Sequence, residues 1–229
     1  VTEGSAGTTP GRGNLVRAVV LGAAVVATLL LGAAVGLLIQ LPNSDDASVP
    51  AADSVDVGFC QDMAMHHIQA VQMANIARER STDEDIRLFA FDISGTQLEQ
   101  VGRMKGWLML WGRPEQPEAG RHMAWMNTAS AHGHTAGGDA PNGAPMPGMA
   151  TSEDLAKLRS LSGVEFDVYF LQLMLRHHQG GAPMAEYGSQ HAGQHAVRTL
   201  AGSMLKSQTS ESEYMEKLLA DRGAAPLPA

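Results

Sequence analysis

The sequence predicts an all-α protein: a four-helix bundle made from two copies of one helical hairpin, preceded by a single transmembrane helix. Three observations carry this. The run Ala18 to Ile39 contains no charge and is as long as the ~20 residues a membrane-spanning helix needs. Further on, apolar residues recur at alternating spacings of four and three, the period of one helix face. Finally, that pattern is written twice at a constant separation of 111 positions.

Arg12 and Arg17 precede the uncharged run, and Asp45 and Asp46 follow it. The positive-inside rule therefore predicts a cytoplasmic segment 1–17, a membrane anchor 18–41 and an extracytoplasmic remainder. Gly32-Ala33-Ala34 offers small residues of the kind found at a signal cleavage site, so a removed secretory signal is the competing reading. The run exceeds the ~7–15 residues of a signal core, which favours an uncleaved anchor. Gly32 and Gly36 form a GxxxG pair that permits close packing against another membrane helix.

Residues 42–56 read as a linker. From position 57, Phe59, Met63, His66, Ala70, Met73 and Ala77 form a stripe that should end near Arg80. Ser81-Thr82-Asp83 supplies caps for the next helix, striped by Gln97, Val101, Met104, Leu108 and Trp111 and closed by Gly112-Arg113-Pro114. Repeat one is thus 57–112. The stretch 113–150 is rich in proline and glycine and predicts a long connection with a short helix around 118–129. Repeat two, 151–223, opens on a short helix capped by Thr151 to Asp154. Ser162 to Glu165 reads as a capping box for the next helix, which carries Phe170, Met174, His177, Gly181, Met184 and Gly188 and should kink at Pro183. A last helix runs from about Gln194 to Arg222, and 224–229 is a tail.

Shifting by 111 carries Phe59 to Phe170, Met63 to Met174, His66 to His177, His67 to His178, Met73 to Met184, Gln97 to Gln208, Met104 to Met215 and Gly112 to Gly223, without a gap. One hairpin alone would leave its apolar stripe wet, and short isolated helices are marginal. Two hairpins related by a pseudo-two-fold axis close one core as a four-helix bundle of residues 57–223.

The net charge of −8 and the lack of a basic stripe exclude nucleic acid as a partner. No nucleophile elbow, phosphate loop, dinucleotide fingerprint or HExxH zinc motif is present, so no catalytic residue is assigned. The chemistry-bearing feature is the repeated His-His pair. Imidazole with thioether suits copper, particularly Cu(I), and the Glu-x-x-His of carboxylate-bridged di-iron bundles is missing. The candidate metal ligands are His66 and His177 first and Met63 and Met174 next, with copper first and another transition metal second; His67 and His178, about 100° round their helices, sit at the flanks. Hairpin geometry places Gln97 level with His66 and Gln208 level with His177, where an amide oxygen would fix the ring tautomer. Asp62, four residues before His66, is a further orienting group. Met73, Met184 and the loop residues His122, His132 and His134 are auxiliary ligands at most. The competing reading is plain core: methionine at helical spacing fills gaps, and a histidine beside a glutamine is a satisfied buried group. The lone Cys60 reads as a small buried residue, with a ligand role left open.

The pattern Phe59-x3-Met63-x2-His66-His67-x5-Met73-Ala74, repeated from Phe170, resembles the bacterial domain of unknown function 305, over roughly residues 56–223. The resemblance implies a ferritin-like bundle, secretion or membrane anchoring, and a metal site at His66, His67, His177 and His178, with no established enzyme activity. The expectation is a membrane-anchored extracytoplasmic protein that binds or handles copper. The alternative is a non-catalytic accessory subunit of a larger membrane complex, for example a respiratory one, and a metal-dependent redox enzyme is the weakest reading.

Overall fold

A computed structural model of the chain describes residues 12–40, 49–118, 121–126 and 144–227. The chain divides into two units, Val1–Ala47 and Ser48–Ala229. The first contains α1, Arg12–Gln40. Its Thr28 hydroxyl donates to the Ala24 carbonyl at 2.9 Å, satisfying that polar group within the helix itself. Among the described residues no helix is long and apolar enough to cross a membrane; within α1 the side chains at 12, 14, 15, 18, 34 and 36–40 lie outside the description.

The second unit is all helical among its described residues. In chain order it holds α2 (Val55–Arg80), α3 (Glu84–Leu110), a 3-10 turn (Ala124–Met126), α4 (Ser152–Ser160), α5 (Gly163–His191) and α6 (His195–Asp221). The caps follow the sequence at most ends. Ser54 accepts from the Val57 N–H at 3.3 Å to start α2, and Asp83 accepts from the amides of Asp85 and Ile86 to start α3. Thr151 and Asp154 form a reciprocal capping box on α4. The box expected at Ser162 is not made: that serine is extended, with φ −150°, and has no side-chain cap bond. Pro183 lies inside α5 without ending it. Of the helix expected around 118–129, the described residues contain only the 3-10 turn.

α2 and α3 pair as one hairpin, α5 and α6 as the other, and α2 crosses α5 between them. The crossing is antiparallel. Asp56 at the start of α2 accepts from the amides of Gly193 and Gln194 beyond the end of α5, at 2.9 and 2.8 Å. At the opposite end Arg80 donates to the Leu161 carbonyl at 2.9 Å. The repeat reproduces this tie: Asp167, equivalent to Asp56, accepts from the Ser81 hydroxyl at 2.6 Å. Each hairpin's first helix thus pins the other hairpin's turn.

Two apolar clusters fill the bundle. One gathers Met73, Ile86, Ile93, Phe166, Phe170, Met174 and Met215; the other gathers Phe59, Met63, Met104, Met184 and Met204, with Trp125, Met146 and Met149 from the connecting segment. Between them lies a buried polar layer of His66, His67, Ser94, Gln97, Gln100, His177, His178 and Gln208. Burying so many polar side chains at mid-bundle is costly unless they are partnered. That layer is where function is sought.

Candidate metal centre

The antiparallel crossing brings the two His-His pairs together. His66 and His177 face each other with ring centroids 3.7 Å apart, tilted by 36°. All four rings are buried. His67 and His178 stand on the flanks, toward the second helix of each hairpin. His67 Nε2 lies 2.8 Å from Gln100 Oε1, and His178 Nε2 lies 2.6 Å from Glu211 Oε2. Gln100 and Glu211 are equivalent positions of the repeat. The Ser207 hydroxyl donates to Glu211 Oε1 at 2.6 Å, so both carboxylate oxygens are engaged.

The remaining nitrogens are unpartnered. Nδ1 of His66, His67, His177 and His178, and Nε2 of His177, are buried without a hydrogen bond. Burial pushes the His66 pKa down to about 4, against a raising contact from the Pro147 carbonyl. Burial and the nearby His66 lower His67 to about 3, and burial first, then His66, His178 and His67, hold His177 well below its ordinary value. These three rings are therefore neutral near pH 7, and each keeps a lone pair. Burial raises the pKa of Glu211, but hydrogen bonds from His178 and Ser207 more than offset it and the net shift is downward.

The connecting segment seals the layer. Pro147 O accepts from His66 Nε2 at 3.1 Å. The Gln69 amide grips Ala150 twice, donating to its carbonyl at 2.9 Å and accepting from its N–H at 2.7 Å. Gly148 has φ +78°, and a Cβ on Gly180 would fall 2.3 Å from Pro147 O. Only glycine allows this backbone contact. Residues 144–150 therefore form a strap across α2 and α5, with Met146 and Met149 buried beneath it.

Several expected partners fall elsewhere. Neither amide atom of Gln97 has a hydrogen bond, nor does Oε1 of Gln208, and both ring nitrogens of His177 also lack one; His66 meets Pro147 O instead, and Gln100 and Glu211 serve the neighbouring rings His67 and His178. A helical side chain leans toward its own N-terminus, so the His67 ring reaches away from the hairpin turn and meets a later residue of α3. Asp62 does not orient His66. Its carboxylate takes His122 Nδ1 and the Met123 N–H at 2.7 Å and Trp125 Nε1 at 2.8 Å, anchoring the 3-10 turn and occupying His122. Met63 and Met174 do not share one side of the histidines: the antiparallel crossing sets Met63 with Met184 in one cluster and Met174 with Met73 in the other. His132 and His134 lie outside the described residues. Cys60 is buried, and burial raises its thiol pKa, so it is no thiolate ligand in this state.

Among the described residues no group of three or more His, Cys, Asp or Glu is arranged to hold an ion. What the layer offers is a facing pair of imidazoles with two more at its flanks. Neutral imidazole nitrogens with buried, unused lone pairs suit a transition-metal ion such as copper or zinc.

Known proteins sharpen this picture. The model of the family "Domain of unknown function (DUF305)" matches residues 56–219. No curated protein matches the chain. A crystal structure of a DUF305 protein of Streptomyces coelicolor, one described as secreted, is 42% identical, covers 78% of this chain and 100% of its own, and has a TM-score of 0.68. A DUF305 fragment from Deinococcus radiodurans is 31% identical over 75% of this chain and 99% of its own, with a TM-score of 0.60. CopM in its Cu(I)-bound form shares the fold at 21% identity and a TM-score of 0.53, over 72% of this chain and 96% of its own. The family match, covering most of the chain and both His-His pairs, identifies this protein as a member of the DUF305 family.

Proposed function

We propose that the four-histidine layer binds copper, held as the monovalent ion by neutral imidazole nitrogens, in an extracytoplasmic domain tethered to the membrane through residues 18–41. The observation that carries this is the set of five buried imidazole nitrogens without partners. A buried polar atom left unsatisfied costs about 1–3 kcal/mol, and ligation would use the one lone pair that each ring keeps when neutral. CopM, with the same fold, has been crystallised in Cu(I)-, Cu(II)- and silver-bound forms, which supports the choice of ion. Two rings drawn from His66, His177, His67 and His178 would hold it, and the strap would exclude water and thiols. Met63, Met174, Met73 and Met184 are then the apolar walls on either side.

Titration of the full chain with Cu(I) against a competing chelator tests this. The wild-type protein should withhold copper from the chelator, and His66→Ala combined with His177→Ala should abolish that. Undiminished tight binding by the double variant would overturn the site. A second reading, docking to a larger membrane complex, draws on the exposed Leu88, Phe91, Leu98, Met109 and Leu110 of α3. Co-purification of such a complex with a chain that binds no metal would favour it.

A further inference from the structure

The two half-sites share a backbone but not a charge. At equivalent positions His67 donates its Nε2–H to the neutral Gln100, and His178 to the carboxylate of Glu211. The other buried acids near the bundle are already engaged: Asp62 by His122, Met123 and Trp125, Asp56 by Gly193 and Gln194, and Asp167 by Ser81. Among the described residues Glu211 is the acid in hydrogen-bond contact with the histidine layer. A monovalent ion held there by neutral rings would bring a positive charge into a dry interior, and buried charges need a partner. A carboxylate on the far N–H of a ligating histidine also fixes the ring and strengthens its other nitrogen as a donor.

We propose that Glu211 is a positioning and charge-balancing residue that makes His177–His178 the preferred half-site for a soft monovalent cation, leaving His66–His67, backed by Gln100, the weaker one. This rests on the copper reading above and adds an asymmetry to it. The same contrast predicts that the preference follows the carboxylate from one repeat to the other.

The test uses Ag(I), a redox-inert soft monovalent ion, titrated by competition into the full chain and its variants. Glu211→Gln should weaken binding about 10–100-fold, the usual cost of losing a partner of a ligating histidine. Exchanging the two residues, Gln100→Glu with Glu211→Gln, should restore it. His178→Ala should cost more than His67→Ala in the native background, and the order should reverse in the exchanged one. A merely structural carboxylate would not produce that reversal. Thermal melting of each ion-free variant checks the fold. If Glu211→Gln does not fold, the two alanine variants decide: equal losses overturn the proposal. Wild-type binding that Glu211→Gln leaves unchanged, or an exchange that fails to restore affinity, overturns it while sparing the copper reading. No Ag(I) binding by the wild-type chain overturns both.

Discussion

The strap meets the two repeats at equivalent positions, 69 and 180, and is held there by opposite means. On α2 the residue is Gln69, whose amide pairs with both backbone groups of Ala150. On α5 it is Gly180, whose missing side chain lets the Pro147–Gly148 backbone lie against the helix. A single strand of chain crossing a pseudo-two-fold axis cannot meet both halves alike. One half must grip and the other must yield. This is a consequence of covering a duplicated site with a unique segment, and it accounts for the different residues at positions 69 and 180.

The yielding side should be the more fragile. Gly180→Ala places a methyl against a backbone carbonyl, which has no rotamer by which to escape. The strap or α5 must shift, at a cost of about 3 kcal/mol, the upper end of ordinary overpacking. Denaturant unfolding would measure it, and a loss under 1 kcal/mol would mean the strap is not pressed on α5. Gln69→Ala should cost less, about 2 kcal/mol, by leaving the buried Ala150 N–H and carbonyl unpaired. Both variants should also increase hydrogen exchange at Ala150 and Met149, with Gly180→Ala the larger effect.

The histidines beneath the strap supply the next prediction. In the folded chain His66 accepts a proton only near pH 4 and His67 only near pH 3, whereas both take one near 6.5 when unfolded. Between those values the unfolded chain binds more protons, so stability falls as pH drops below about 6.5. Each such ring steepens the fall by up to about 1.4 kcal/mol per pH unit. His177 acts in the same direction. The descent should be measurable between pH 7 and 5, above the range where Asp83 and Asp154, both shifted downward despite the opposing effect of burial, come into play. Opening the strap by Gly180→Ala should flatten it, because hydrated rings titrate normally. A wild-type chain equally stable at pH 7 and 5 would contradict dry, neutral histidines.

Much of this arrangement was legible in the sequence. The spacing of Phe59, Met63, His66 and Ala70 and its echo from Phe170 give the hairpins, their duplication and the facing of His66 with His177. The ring partners were not legible. Matching residues by their level on the helices selects Gln97 for His66, but His66 meets the strap at Pro147 O and Gln100 serves His67, contacts set by the connecting segment and by rotamers and not by spacing. The methionine pairing was misread for a different reason. A two-fold axis reverses chain direction, so Met63 comes level with Met184, while a simple shift by 111 pairs it with Met174. The strap left almost no signal, since Ala144 to Ala150 is a run of small and apolar residues whose grip lies in Gln69 and in the absence of a side chain at Gly180.

A smaller asymmetry lies one residue beyond the strap contact. Ala70 and Gly181 are equivalent, and each sits where the opposing helix presents its inner histidine. A Cβ at Gly181 would come 3.0 Å from His66 Cε1 and 3.2 Å from Gln208 Oε1, tight contacts against side-chain atoms that can move by a few tenths of an ångström. Replacing a mid-helix glycine by alanine gains roughly 1 kcal/mol in helix propensity, and the crowding opposes it. Gly181→Ala should therefore change stability by less than about 1 kcal/mol. The relief comes from rotation of the His66 ring, which weakens its bond to Pro147 O and its facing of His177. Metal affinity should fall while the unfolding midpoint scarcely moves, and Ala70→Gly should leave affinity closer to wild type because position 70 already accommodates a methyl. If both variants lost stability and affinity in proportion, the glycine would serve only the packing of α2 on α5, and the histidine pair would not depend on the space it leaves.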